Sequence, residues 1–314
     1  MSATIELPIE QRDAFACFGS RCTVVVADER LADARDAVTR AHGRMLEWHG
    51  QFSRFRADSE LTGLNRAPEE TVAVSPMMRR VVEAAVRAAH ATGGLVDPTL
   101  LGEIERAGYD SHFEGEGLPL AVALALAPDR APGRPAPDAR WRGVRTDRRT
   151  GTITRPPGVS IDPGGIAKGV FADELASLLT GYGAFVVDCG GDMRLGGRLR
   201  LAREVHVASP FDDSTLHTFT VASGGVATSG VGRRSWLDRD GRPAHHLLDP
   251  ASGRPAFTGV VQVTALAPTA TEAEALSKAA LLSGPARAER LLVHGGAIVL
   301  DDGNFVVLEC REAA

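Results

Sequence analysis

The chain has 314 residues, enough to bury one large core or two modest ones, with the 44% hydrophobic and 24% charged content of a soluble globular protein. A formal net charge of −5 offers no general attraction to nucleic acid or to an anionic membrane, so neither is an expected partner. Four scattered cysteines, Cys17, Cys22, Cys189 and Cys310, cannot staple a chain this long, and reduced thiols in a cytoplasm are the expectation.

Met1 to Gln11 carries Glu6 and Glu10 and is broken by Pro8, so it has neither the basic start nor the apolar run of a secretory leader. No stretch approaches the roughly 20 apolar residues that span a bilayer, and no membrane anchor is expected. Cys17 and Cys22 flank a turn and a strand start, with no Cys or His cluster nearby to complete a four-ligand zinc site. Cys22 to Ala27 is a β-branched run that predicts a strand, and Asp33 to Trp48 predicts a helix ending near Gly50. Asp58 or Ser59 is placed to cap a short helix that carries Leu61 and Leu64 inward. Ser75-Pro76 is a helix start; Met78, Val81, Val82, Ala85, Val86 and Ala89 then repeat on one face until Gly93 and Gly94.

Leu95-Val96-Asp97-Pro98-Thr99 follows, with Asp97 read as a cap for Leu100 to Arg106. Residues 115–140 are rich in Ala, Pro and Gly without a sustained period, and predict an exposed excursion within one domain. Two short strands, Trp141 to Thr146 and Thr152 to Arg155, lead into Ser160 to Asp173, which reads Ser-Ile-Asp-Pro-Gly-Gly-Ile-Ala-Lys-Gly-Val-Phe-Ala-Asp. This is a strand end, a tight turn and a helix start, with Ile166, Val170, Leu175 and Leu178 assigned to the buried side. Backbone N–H groups at such a start favour an anion, Gly164 and Gly165 leave room for it, and Lys168 can add a full charge. An ordinary βα turn with a solvated lysine is the alternative on this stretch alone.

A buried strand, Ala184 to Asp188, runs out into Cys189-Gly190-Gly191-Asp192. Strands at Glu204 to Ser209, Leu216 to Val221 and Gly225 to Ser229 are joined by gaps too short for helical crossovers, so the sheet is expected to be largely antiparallel. Residues 241–255 form a turn-rich loop with adjacent His245 and His246, which point different ways, so joint metal ligation is not expected. An imidazole beside Asp249 can act as a general base, its tautomer fixed by that carboxylate. Val260 to Ala267, Thr271 to Ser283, Ala297 to Leu300 and Phe305 to Glu309 complete a strand, helix, strand, strand series. Asp97, Asp162, Asp192 and His246 all stand at element ends near glycine or proline, where scaffolds carry function.

Six ordered blocks now resemble the FAD:protein FMN transferase, or ApbE, family over about Phe18 to Leu300. They are Phe52-Ser-Arg-Phe with Asp58-Ser-Glu-Leu and Leu64-Asn-Arg; Thr92-Gly-Gly with Asp97-Pro-Thr; Asp162 to Asp173; Asp188-Cys-Gly-Gly-Asp192; Ala227-Thr-Ser-Gly230; and His246-Leu-Leu-Asp-Pro250. The resemblance implies a single α/β domain of T-fold-like architecture, with a largely antiparallel sheet and packed helices, spanning residues 1–314. It implies an enzyme that moves the FMN half of FAD onto a Thr or Ser hydroxyl of a partner flavoprotein and releases AMP. FAD would be contacted by Phe18, Phe55, Leu95, Val96, Asp97, Asp162, Lys168 and Leu247, with His246 as the catalytic histidine. A non-enzymatic FAD carrier and an FAD diphosphatase are the rival readings.

The resemblance also implies magnesium, held by the Gly165 carbonyl and by an aspartate and a threonine four residues apart on a C-terminal helix. This chain has Glu274 and Lys278 at those two positions. An ammonium about 4 Å from a divalent ion is repelled by roughly 8 kcal/mol at an effective dielectric of about 20, as an upper bound. Three arrangements follow: a plain i,i+4 Glu274–Lys278 pair, an ammonium replacing magnesium, or a lysine swung away from a weaker metal site on Glu274 and Ser277. The last two are preferred, because the neighbouring blocks are intact. Phe55 where tyrosine is commoner, and Phe18-Gly19-Ser20 where methionine, glycine and threonine are usual, keep apolar surface for a ring.

Overall fold

The computed structural model describes residues 9–111 and 117–309. The reading of Met1 to Pro8, and Cys310, lie outside the described residues. An antiparallel sheet of eight strands organises the chain: β1 (Ile9–Cys17), β2 (Ser20–Asp28), β3 (Ala184–Asp188), β4 (Asp192–Gly196), β5 (Gly224–Gly230), β6 (Val260–Ala267), β7 (Gly296–Leu300) and β8 (Phe305–Leu308). Consecutive strands are sheet neighbours throughout, each pair antiparallel. The chain therefore crosses the sheet once, and everything else is inserted between successive strands. The insertion between β2 and β3 carries α1 (Leu31–Phe52), α2 (Glu60–Arg66), α3 (Pro76–Ala91), α4 (Leu101–Arg106), α5 (Leu120–Ala125) and α6 (Ala167–Leu179). Between β6 and β7 lie α7 (Ala270–Ser283) and α8 (Pro285–Leu291). Two strands, Arg203–Ala208 and Thr215–Val221, pair as a hairpin between β4 and β5.

Periodicity explains the helices that carry the core. On α1 the buried residues Ala34, Ala37, Val38, Ala41, Met45, Trp48 and Phe52 recur at the spacing of one face. Ser59 and Ser75 cap α2 and α3, accepting from the Thr62 and Met78 N–H groups. These faces close over Phe171, Met45 and Met78 in the main core. Helix α6 departs from the expected stripe: Ile166, Val170 and Leu175 are buried, but Leu178 is 62% exposed and Leu179 takes the inward position. Other differences are local. Strand β1 begins in the polar run that gave no strand signal, Trp141 lies in a 3-10 turn rather than a strand, and α5 forms inside the 115–140 excursion.

Helices α6 and α7 approach closely because Gly169 has no side chain: a Cβ there would lie 2.7 Å from the Ala270 carbonyl oxygen. Asp173, on α6, caps α7 by accepting from the backbone N–H groups of Ala270 and Thr271, both at 2.9 Å. The tight β1–β2 hairpin turns on Phe18 and Gly19, with φ of 52° and 65° as a type I′ turn requires. A phenylalanine in that region costs about 1 kcal/mol, and it is held by its ring stacking on Phe171 at 5.0 Å.

Candidate active site

A cavity of about 560 Å³ opens where the β1–β2 hairpin, the glycine turn before α6, the Gly190-Gly191 turn and the His246 loop converge. That is within the range of small-molecule sites. Phe18, Phe55, Leu95, Val96, Asp97, Asp162, Lys168, Leu247, His246 and Gly165 all line it, so residues far apart in the sequence meet in one space. Glu274 and Ser277 do not line it; both are fully buried just behind it.

One end of the cavity is aromatic. The Arg54 guanidinium lies 4.4 Å from the Phe55 ring centre and 4.5 Å from that of Tyr109, and donates to the Tyr109 carbonyl at 2.6 Å. Phe18 lines the cavity from the β1–β2 turn, tilted against His49 and stacked on Phe171, both at 5.0 Å. The other end is ionic. Lys168 is paired with Asp192, which is fully buried at the start of β4. Burial disfavours the Lys168 charge, but Asp192 and Glu274 outweigh it and raise its pKa, so the ammonium is retained. Lys278 reaches the same space from α7. Its Cδ and Cε lie 3.9 Å from where a Cβ on Gly165 would be, and its Nζ donates to Glu274 Oε1 at 2.8 Å.

Around Gly164 the turn is partly self-satisfied, since its N–H donates to Asp162 Oδ1 at 2.9 Å. Asp162 also faces Arg54 at 3.8 Å. Asp97 does not cap α4; its Oδ1 accepts from the Thr99 N–H and hydroxyl at 2.8 and 2.6 Å, a local turn two residues long. Its Oδ2 is buried without a hydrogen-bond partner, and burial pushes the carboxyl up despite Thr99. Asp188 accepts from the Gly191 N–H at 2.7 Å and shapes the turn rather than the cavity wall.

The two histidines diverge as expected. His245 turns into the core against Phe257, and burial holds its pKa down at about 4. His246 turns into the cavity. Burial first, then the nearby Arg234, His245, Lys278 and Lys168, hold its pKa well below the usual histidine value, so its ring is neutral at pH 7. Its Nδ1 is buried with no hydrogen-bond partner. The expected role of Asp249 is not seen: that carboxylate accepts from the backbone N–H of Arg134 at 2.7 Å and of Ala251 at 3.3 Å, and so holds the 115–140 excursion onto the loop.

Residue chemistry argues against a divalent ion at the Gly165, Glu274 and Ser277 set as arranged. Glu274 Oε1 is taken by Lys278, and Oε2 accepts from the Gly169 N–H at 2.7 Å. Ser277 Oγ is bonded to Ser229 Oγ at 2.8 Å and to the Glu274 carbonyl at 3.1 Å. Magnesium needs oxygens about 2.0–2.1 Å away in near-octahedral array, and here a cation already lies against the one carboxylate of the set. Among the described residues, no group of three or more His, Cys, Asp or Glu is placed to hold a metal. Of the three arrangements of Lys278, the swung-away lysine is not the one seen. The i,i+4 pair forms, against the preference drawn from the sequence, but it is buried: the two side chains are 12% and 0% exposed.

Arg54, Tyr109 and Arg234 were not singled out by the sequence. Arg234 donates to the Phe18 carbonyl and to Ser20 Oγ, both at 3.2 Å, and lines the cavity beside His246. Its only sequence signal is its place four residues after the Ala227-Thr-Ser-Gly230 block.

An antiparallel sheet bearing a cavity with aromatic rings at one end and buried ammonium groups at the other defines an α/β protein built to hold a ring compound that carries phosphate. The chain belongs to the ApbE family, whose model matches residues 18–300. It is 29% identical over 283 residues to an FAD:protein FMN transferase of Treponema pallidum, covering 85% of this chain and 76% of the relative. A second relative of that name, from Vibrio cholerae, is 28% identical over 82% of this chain and 76% of its own length. The crystal structure of an ApbE protein of Thermotoga maritima superposes with a TM-score of 0.78 at 27% identity, covering 96% of this chain and 97% of that one. The apo flavinyl transferase ApbE of Pseudomonas stutzeri has the same fold, with a TM-score of 0.75 at 21% identity over 98% and 96% of the two chains.

Proposed function

We propose that this protein is an FAD:protein FMN transferase: it binds FAD and moves the FMN half onto a Thr or Ser hydroxyl of an acceptor flavoprotein, releasing AMP. One observation carries the reading. A neutral His246 with an unpartnered Nδ1 shares a cavity with two ammonium groups, Lys168 and Lys278, beside a glycine turn. In the reaction, the acceptor oxygen attacks the phosphorus on the FMN side of the diphosphate. A new phosphoester bond forms, the bond to the AMP phosphate breaks, and the hydroxyl proton passes to the His246 ring. Such transfers depend on alignment and on fixed positive charge more than on covalent help from the protein.

Each part of the cavity has a role in this reading. Phe18, Phe55 and Arg54 present ring faces and a planar cation to the flat parts of FAD. Leu95, Val96 and Leu247 exclude water along its length, while Asp97 Oδ2 and Asp162 offer acceptors to its N–H or hydroxyl groups. Lys168 supplies charge for the diphosphate, and Asp192 fixes where that charge lies. Magnesium, implied by the family resemblance, takes no step here. We also read the chain as one folding unit, since a single sheet draws strands from Ile9 to Leu308. A reducing compartment such as the cytoplasm suits the unpaired buried thiols of Cys17, Cys22 and Cys189. Among the described residues, no helix is long and apolar enough to cross a membrane.

Mass spectrometry of a candidate acceptor incubated with protein and FAD tests the reading. An acceptor heavier by one FMN, with AMP released in equal amount, is expected. Free FMN with AMP would mark a diphosphatase, and bound flavin with no AMP a carrier; either would replace the reading.

A further inference from the structure

The cavity wall nearest the glycine turn carries two lysines, each backed by a buried carboxylate behind the wall, and the two pairs are built differently. Lys168 and Asp192 join α6 to β4, across the helix–sheet contact. Lys278 and Glu274 lie on one helix, α7, and the pair is locked from outside: Glu274 Oε2 is held by the Gly169 N–H at the closest approach of α6 and α7. Glu274 therefore cannot turn toward the cavity without breaking a buried hydrogen bond. Lys278 runs from that fixed oxygen alongside the Gly165 turn: its Cδ and Cε lie 3.9 Å from the point a Gly165 Cβ would occupy, and its ammonium donates to Glu274 Oε1 at 2.8 Å. An aliphatic stem running beside a glycine and a head held by an immobile acceptor give a cation with one defined position. A divalent ion cannot share that oxygen with it.

Resting on the FMN-transfer reading, we propose that Lys278 is a built-in replacement for a divalent cation: its ammonium holds the cation position between Glu274 and the Gly165 turn and provides charge to the FAD diphosphate, so that this chain binds FAD without metal. Three features suit lysine to the task. Its stem reaches across the gap that a smaller side chain would leave to an ion. Its three N–H donors can serve Glu274 and phosphate oxygens together. Ser277, one residue earlier, has its hydroxyl tied to Ser229 and is not available to complete a metal shell.

The test is binding, independent of transfer. FAD affinity of the wild-type protein, followed by flavin fluorescence, is expected to agree within about twofold in EDTA and in excess Mg2+. Titration with Mn2+, followed by electron paramagnetic resonance, is expected to show no tight site in the wild type. Lys278→Thr is expected to lose about tenfold or more in FAD affinity in EDTA, to recover it with Mg2+, and to gain one Mn2+ site. A tight Mn2+ site in the wild type, or a loss of about tenfold in its FAD affinity in EDTA, overturns the proposal and leaves the transferase reading standing. So does a folded Lys278→Thr protein that keeps wild-type affinity in EDTA, or whose loss no divalent ion repairs. If that variant does not fold, as judged by circular dichroism, the two wild-type measurements decide alone. Failure of the wild type to bind FAD under any condition sinks the transferase reading itself, and this proposal with it.

Discussion

At one end of the cavity, Phe55 and Tyr109 lie edge to face on loops between helices, with the Arg54 guanidinium against both rings. At the other, Lys168 and Lys278 project from α6 and α7, backed by the buried Asp192 and Glu274, and the α6–α7 contact is fixed by Asp173 and Gly169. The aromatic end gains its order from surfaces that tolerate small shifts, since stacking and cation–π contacts weaken gradually with distance. The ionic end cannot shift: buried charges are worth keeping only when each is matched at hydrogen-bond range. A flat ring can be accepted by the first kind of surface, whereas a group that must be aligned for attack needs the second. Perturbing the ionic end should therefore stop chemistry or unfold the protein, and perturbing the aromatic end should only loosen binding.

His246→Ala should have the largest effect. Transfer should fall by about 10²- to 10⁴-fold, the usual worth of a positioned acid–base group, with FAD affinity nearly unchanged. The acceptor mass assay run beside a fluorescence titration measures both. Undiminished transfer would remove His246 from the mechanism and leave the ionic end as a binding device only.

Lys168→Met comes next, because it leaves Asp192 buried without its cation. Breaking one partner of such a pair costs about 3–5 kcal/mol, seen as a lower urea midpoint. Lys168→Met with Asp192→Asn should recover most of that stability but not FAD binding. If the single and double variants were equally stable, the pair would not be what fixes this end.

Acid should act on the core behind the cavity through His245, which is buried with its pKa held at about 4. In the unfolded chain the ring titrates near 6.5, so below that pH the unfolded state takes up a proton that the folded state refuses. Stability is complete above about pH 6.5, falls as pH drops toward 4, and levels off below, a loss of roughly 3 kcal/mol from this group. His245→Phe, filling the place against Phe257, should flatten that part of the profile in urea titrations between pH 7 and 4. An unchanged slope would assign the acid sensitivity to other groups.

The same contrast governs what could be read from the sequence. Elements whose own residues carry a pattern were visible: the α3 stripe, the β-branched run of β2 and the apolar runs of β3 and β6. Strand β1 was not, because Glu10, Gln11, Arg12 and Asp13 give no apolar alternation; it exists through its pairing with β2 at the sheet edge. Leu178 was misplaced because an apolar residue at the right spacing need not face inward when the helix packs through its own Phe171 and Leu179 instead. Residues of the ordered blocks, among them Phe55, Asp97, Asp162, Lys168 and His246, do meet in one cavity, since motif order survives folding. Partnerships across the fold were not visible. Asp249 holds Arg134 from the excursion, Glu274 holds Gly169, and Arg234 reaches the β1–β2 turn, and no local pattern marks any of these contacts.

Arg54→Met tests the aromatic end, with the smallest expected effect. The guanidinium stacks on Phe55 and Tyr109, bonds the Tyr109 carbonyl and faces Asp162, so it joins the ring surface to the edge of the glycine turn. Methionine keeps much of the stem's volume but removes the cation, and a partly exposed cation–π contact is worth about 0.5–2 kcal/mol. FAD affinity should fall by roughly 5-fold, while the transfer rate at saturating FAD stays within about twofold of wild type, since the His246 and Lys168 geometry does not depend on this end. Steady-state rates against FAD concentration separate the two parameters. A fall in the saturated rate as large as the fall in affinity would show that Arg54, through Asp162, aligns the diphosphate as well, and the division of the cavity into a tolerant end and an exacting one would have to be redrawn with the glycine turn belonging to both.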